Sequence, residues 1–154
     1  MMSEYEHPKR KAAQRYNLIV FQSAAIVNTL GVFILTKGLN APILEDELPQ
    51  LFGSFGLVSI MVWGLAYWSC RYSASFRPSI GVVFAIEKSL YVFSWVTYMW
   101  KNPPLSSILK QDFLSGLFLS IYGVVDFLYL CLFLWSASLA WELKLPEDEI
   151  DLYS

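Results

Sequence analysis

Residues 115–140 read SGLFLSIYGVVDFLYLCLFLWSASLA, an unbroken apolar run whose single charged side chain, Asp126, sits near its centre. A helix needs about 20 mostly apolar residues to cross the ~30 Å hydrocarbon core of a bilayer, and this run exceeds that length. It lacks the strict alternation of a membrane β-strand, and an open strand would leave its edge groups unpaired in lipid. Working outward from it, three further runs qualify, at residues 17–36, 51–70 and 79–100. Helix breakers fill the gaps: Gly38, Asn40, Pro42 and Pro49 in the first loop, Asn102, Pro103 and Pro104 in the third. Pro78 suits the first turn of the third helix, where a missing N–H costs nothing. These features predict an all-α fold, an integral membrane four-helix bundle over residues 17–141. A tail of residues 1–16 precedes it and an acidic tail of residues 142–154 follows.

Composition agrees. Of 154 residues, 56% are apolar and only 16% charged, against about 25% charged in soluble domains, so a soluble core of this size could not cover the apolar side chains. The net charge of −2 gives no basic footprint for nucleic acid. Cys70 and Cys131 lie in or beside apolar segments without a CxxC spacing, which reads as two membrane thiols rather than metal ligands or a disulfide. The one histidine, His7, falls in the N-terminal tail. The bundle therefore has no bis-histidine haem, His-based zinc site or His-containing triad, and neither a cofactor nor a metal is expected. The first span is expected to be retained, because its apolar run is too long for a signal peptide and no small-x-small site precedes Lys37.

Lys and Arg set the expected direction. Lys9, Arg10, Lys11, Arg15, Arg71, Arg77 and Lys144 fall on one side of the membrane, and Lys37, Lys101 and Lys110 on the other. Seven against three predicts both termini in the cytoplasm, N-in and C-in. Tyr16, Tyr67, Trp68 and Trp141 would then form the inner aromatic belt, and Trp95, Tyr98 and Trp100 the outer one.

Charge inside the spans is the informative feature. From the span limits, Asn28, Glu87, Lys88 and Asp126 fall at similar depth near the membrane centre. A charged group there costs upward of about 2.5–3.5 kcal/mol and normally faces the bundle interior with a partner. Lys88 is expected to pair with Asp126 or Glu87. One cation against two carboxylates leaves an excess negative charge, which a proton, a bound cation or a ligand must compensate. Tyr91 lies one turn beyond Glu87 and Lys88, and Ser94 and Tyr98 continue that polar stripe. Tyr122 and Tyr129 share a face with Asp126, within reach of its carboxylate. Ala24, Asn28 and Gly31 form a small face on the first span, and Gly53, Gly56 and Gly64 one on the second, as close helix packing in membranes requires.

Several of these residues also carry a family likeness. Asn28, the run Gly64-Leu65-Ala66-Tyr67-Trp68, Arg77-Pro78, Lys88 and Asp126 together resemble a group of uncharacterised bacterial four-span proteins in the neighbourhood of DoxX-like membrane proteins. The family tends to carry glycine where this chain has Glu87, which doubles the local acid. The resemblance implies the four-span fold, the choice of residues and a bacterial inner (plasma) membrane, and no activity.

Three classes of function fit. In the first, Glu87, Lys88, Asp126, Asn28, Tyr91, Tyr122 and Tyr129 bind a small apolar or cationic ligand or move a proton or ion. In the second, the chain is an accessory subunit packed on a membrane-protein partner or on copies of itself, with Lys88 and Asp126 fixing helix register. In the third, an intramembrane carboxylate acts on a lipid as general acid or base, although no nucleophile–base pair accompanies it and no catalytic residue is assigned.

Overall fold

A computed structural model describes residues 8–101 and 103–142, with side-chain surroundings from Arg10 onward. His7, Lys144 and the acidic residues Glu147, Asp148, Glu149 and Asp151 lie outside the described residues. Every regular element among the described residues is helical. The chain runs through α1 (Pro8–Ile26), a π-helical turn (Val27–Gly31) and α2 (Val32–Leu35), which continue one another. Two short helices follow, α3 (Pro42–Glu47) and α4 (Pro49–Phe52), then α5 (Ser54–Cys70) and a 3₁₀ turn (Ser73–Ser75). The remainder is α6 (Pro78–Trp100), α7 (Leu105–Gln111) and α8 (Phe113–Glu142).

Three helical stretches are long and apolar enough to cross a membrane: Arg10–Leu35, Pro78–Trp100 and Phe113–Glu142. The second apolar run of the sequence yields a shorter helix than its composition predicts. Pro49 starts α4, and Gly53, with ψ at 164°, turns the chain before α5 begins at Ser54. Leu51 and Phe52 are thereby spent on a separate turn. The 17 residues of α5 rise about 26 Å. Prolines open α3, α4 and α6 at their first turns, where the missing N–H is harmless.

Packing is pairwise: α6 lies along α8, and α1 with its π turn lies along α5. Small residues permit the approach. A Cβ on Gly64 would meet Thr29 Cγ2 at 2.7 Å, and one on Gly81 would meet the Phe133 carbonyl oxygen at 2.7 Å. Gly53 and Gly56, expected to share that interhelical face, instead crowd their own turn against the carbonyls of Pro49 and Leu51. Apolar side chains face outward on all four long helices, among them Leu30, Val62, Leu90 and Leu128. Cys131 is exposed and Cys70 half-buried, both as free thiols.

At the end of the bundle that carries the short helices, Lys37, Gly38 and Leu39 have φ of 54°, 75° and 68°. Gly38 N–H donates to Phe33 O and Lys37 N–H to Ile34 O, a Schellman closure with lysine at the left-handed position that usually holds glycine. The Lys37 ammonium reaches Asp112 Oδ2 at 2.6 Å, and Asp112 also accepts from the Ser115 hydroxyl at 2.7 Å at the start of α8. One carboxylate thus clasps the first loop and caps the last helix.

The hydrogen bond from Lys37 holds the Asp112 carboxyl below the usual carboxylate range, partly opposed by burial. A lowered folded-state pKa means that the clasp stabilises the fold above the ordinary carboxylate range, near 3.9, and loses that contribution as pH falls through the folded value. Asp112→Ala should cost about 1 kcal/mol, as loss of a helix cap does, in thermal unfolding of detergent-solubilised protein near neutral pH. The gap between wild type and Asp112→Asn should shrink as the solution is acidified below the carboxylate range.

Candidate functional site

The buried charges are assembled one helix at a time. In α1 the π turn holds Asn28 inward, a local distortion of a kind frequent at functional sites. Gly64 lets α5 close on that turn, so Asn28 Nδ2 donates to the Ile60 carbonyl at 3.4 Å. The Asn28 Oδ1 atom is left facing the interior, where it accepts from Lys88 Nζ at 3.3 Å. Lys88 Nζ also donates to Asp126 Oδ1 on α8 at 2.5 Å. Its ammonium lies 5.5 Å from the Tyr67 ring centre and 5.9 Å from that of Tyr91, within cation–π range. Lys88 is 0% exposed, Asp126 2%, Asn28 3% and Glu87 5%, so the assembly lies wholly inside the protein.

Glu87 precedes Lys88 in the chain and points about 100° away around the helix, toward α5. Its Oε2 accepts from the Tyr67 hydroxyl at 2.5 Å. Tyr67 therefore turns its ring to the ammonium and its hydroxyl to the second carboxylate. Glu87 Oε1 and Asp126 Oδ2 make no hydrogen bond. The Tyr122 hydroxyl lies within interaction range of Asp126 without a hydrogen bond of good geometry. Among the described residues no three His, Cys, Asp or Glu side chains converge to hold a metal.

Aromatic layers bound this centre. Toward the termini, Phe21, Tyr67, Phe84 and Phe133, one ring from each long helix, pack with centroids 4.8–5.7 Å apart. Toward the short helices lie Phe52, Phe118 and Tyr122, at 4.9–5.2 Å. The second layer is breached at its sides. A cleft of about 50 Å³ between α1 and α8 reaches Asn28, Tyr122 and Asp126. Between α5 and α6 a hollow of about 460 Å³ is lined by Glu87, Trp63, Tyr91 and Ser94. It adjoins a second, of about 490 Å³, lined by Glu47, Thr97, Tyr98 and Lys101, and the two share Gln50, Leu51 and Ser94.

Asn28, Lys88 and Asp126 thus form one bonded cluster, Glu87 lies beside it, and Tyr91 and Tyr122 flank it. Tyr129 does not join: its ring packs against Phe133 at 6.1 Å, and it makes no hydrogen bond to Asp126. Of two residues read as belt aromatics, one is interior and the other half-buried. Tyr67 has no exposed surface, and Trp95 packs on Gly123 and donates Nε1–H to the Leu119 carbonyl at 2.7 Å. Sequence reasoning missed the site role of Tyr67, although its place three residues after Gly64 put it on the face that meets the other helices. Tyr98, on the expected polar stripe, donates to Glu47 Oε2 at 2.7 Å.

Fold and site together have the make-up of a helical integral membrane protein with an ion pair in its interior. No known protein-family model, curated protein or solved structure matches this chain.

Removing Lys88 alone strands two carboxylates in the core. Lys88→Met should therefore destabilise the protein by about 3–5 kcal/mol, the usual cost of breaking a buried pair. The double variant Lys88→Met/Asp126→Leu should recover much of that loss. Denaturant midpoints in micelles measure both, and strictly additive losses would show that the two side chains are not coupled.

Proposed function

We propose that this chain is a four-span protein of the bacterial inner membrane, N-in and C-in, whose mid-depth polar centre binds a small ligand at Glu87 rather than conducting ions. The observation that carries the reading is the charge balance around Lys88. Its ammonium is taken by Asp126 and Asn28, which leaves Glu87 as the surplus acid, held only by the Tyr67 hydroxyl and lying beside an open hollow. A surplus charge in a lipid-surrounded interior is compensated by a proton or by a cationic group of a ligand.

Binding is favoured over conduction because access is one-sided. The hollows open between α5 and α6 and extend toward the short helices, whereas the four-ring layer of Phe21, Tyr67, Phe84 and Phe133 closes the way to the termini. The outward apolar face of α5, with Phe55, Val58, Val62 and Leu65 exposed, supports its role as a fourth span. Arg10, Lys11, Arg15, Arg71 and Arg77 gather at the termini end against Lys37, Lys101 and Lys110 at the other, which supports the orientation. The DoxX-like resemblance adds weight to the choice of residues, since three of its positions, Asn28, Lys88 and Asp126, are hydrogen-bonded together.

Two measurements test this. Infrared spectra of the ligand-free protein should contain a protonated carboxyl band that disappears in Glu87→Gln, while vesicles containing wild type should pass protons and monovalent cations no faster than empty ones. A cation flux abolished by Glu87→Gln would reverse the reading. For topology, in a background lacking Cys70 and Cys131, Lys101→Cys should react with an impermeant maleimide on intact cells, and Arg71→Cys only after the membrane is opened.

A further inference from the structure

The hollow beside Glu87 combines a carboxylate with two aromatic rings, and this narrows the ligand. We propose that the groove between α5 and α6 binds an elongated lipophilic amine, its ammonium held by Glu87 between Trp63 and Tyr91. The proposal rests on the reading above that Glu87 carries the uncompensated charge.

Three features converge on this class. First, Glu87 Oε1 is buried without a hydrogen-bond partner, and Lys88, the neighbouring cation, is committed to Asp126 and Asn28. An arriving ammonium supplies the missing donor and takes over the compensating charge that a proton holds in the ligand-free protein. A neutral ligand supplies no charge, and an anion adds to the surplus. Second, Trp63 and Tyr91 line the same hollow as Glu87, and the faces of such rings attract an ammonium, more strongly once it is desolvated. Third, the shape is long. The two hollows adjoin, with Gln50, Leu51 and Ser94 lining both, and the rise along α6 from Glu87 to Lys101 is about 21 Å. Leu51, Leu90 and Phe93 give the middle of this path apolar walls, while Thr97, Tyr98 and Lys101 offer hydrogen bonds at its mouth. Each hollow falls within the ~300–1,000 Å³ of small-molecule sites. Glu87 lines the groove while its Oε1 is buried, so the amine is bound with adjustment of the flanking side chains.

Proton balance follows. A protonated Glu87 meeting an ammonium releases its proton and keeps the ammonium as an ion pair, so one proton leaves for each amine bound.

The full-length protein in nanodiscs is titrated with dodecylamine and with dodecanol, which has the same chain and no charge. The expected result is binding of the amine at least ten-fold tighter, with release of one proton read by calorimetry in buffers of different ionisation enthalpy. Glu87→Gln should abolish the preference and the proton release, Trp63→Leu should weaken the preference, and Tyr129→Phe should leave both unchanged. Equal binding of amine and alcohol by wild type, or amine binding without proton release, overturns the proposal even if no Glu87 variant folds. If the amine preference is absent while the infrared band still belongs to Glu87, only the ligand class is wrong. If that band is absent as well, the reading of Glu87 as the surplus acid fails with it.

Discussion

An ammonium and a carboxylate 2.5 Å apart, both wholly buried, set the terms for the rest of this molecule. Neither Lys88 nor Asp126 is tolerable alone in a lipid-surrounded interior, and together they still require their remaining hydrogen-bonding capacity to be met. The neighbouring structure meets much of it. The π turn delivers the Asn28 carbonyl oxygen, the absence of a side chain at Gly64 lets α5 come near enough to hold the Asn28 amide, and Tyr67 places its ring beside the ammonium. Features that look like local irregularities, a widened helical turn and a glycine in mid-helix, bring protein groups to a buried lysine.

The surroundings of this pair are asymmetric along the bundle. On the termini side, four aromatic rings from four helices close the interior. On the other side, short helices and loops replace continuous packing, and the space between α5 and α6 remains open. The asymmetry has a simple origin. The α1–α5 and α6–α8 pairs are each drawn together by small residues, while nothing comparable joins α5 to α6. A groove is what remains where two tight helix pairs meet without a glycine seam.

The spans were legible because lipid imposes a length and a composition that few other environments require, and the segments 79–100 and 115–140 agree with α6 and α8 to within two residues at each end. The segment 51–70 was read too long, since hydropathy counts Leu51 and Phe52 as apolar without registering that Gly53 turns the chain after them. Depth alone puts Asn28, Glu87, Lys88 and Asp126 at one level and leaves the partner of Lys88 open between Asp126 and Glu87; the structure pairs it with Asp126 and Asn28. Depth does not give rotation, however. Apolar residues surround α5 on every side, so no amphipathic stripe tells which way Trp63 points, and for Tyr67 only its spacing from Gly64 gives a face. Tyr129 shows the same limit in reverse: helical spacing placed it on the face of Asp126, yet packing against Phe133 claimed its ring.

The adjacency of Glu87 and Lys88 has a bearing on biogenesis. The lasting partner of Lys88 lies 38 residues further along the chain, so Lys88 emerges from the ribosome before Asp126 does. At about 5–20 residues per second, that interval lasts roughly 2–8 s. During it the carboxylate next door is the nearest countercharge the nascent helix carries, and the hairpin with α8 closes only when the later acid arrives. The side chain that in the folded protein accepts only from the Tyr67 hydroxyl is thus, on the way in, the countercharge nearest its neighbour.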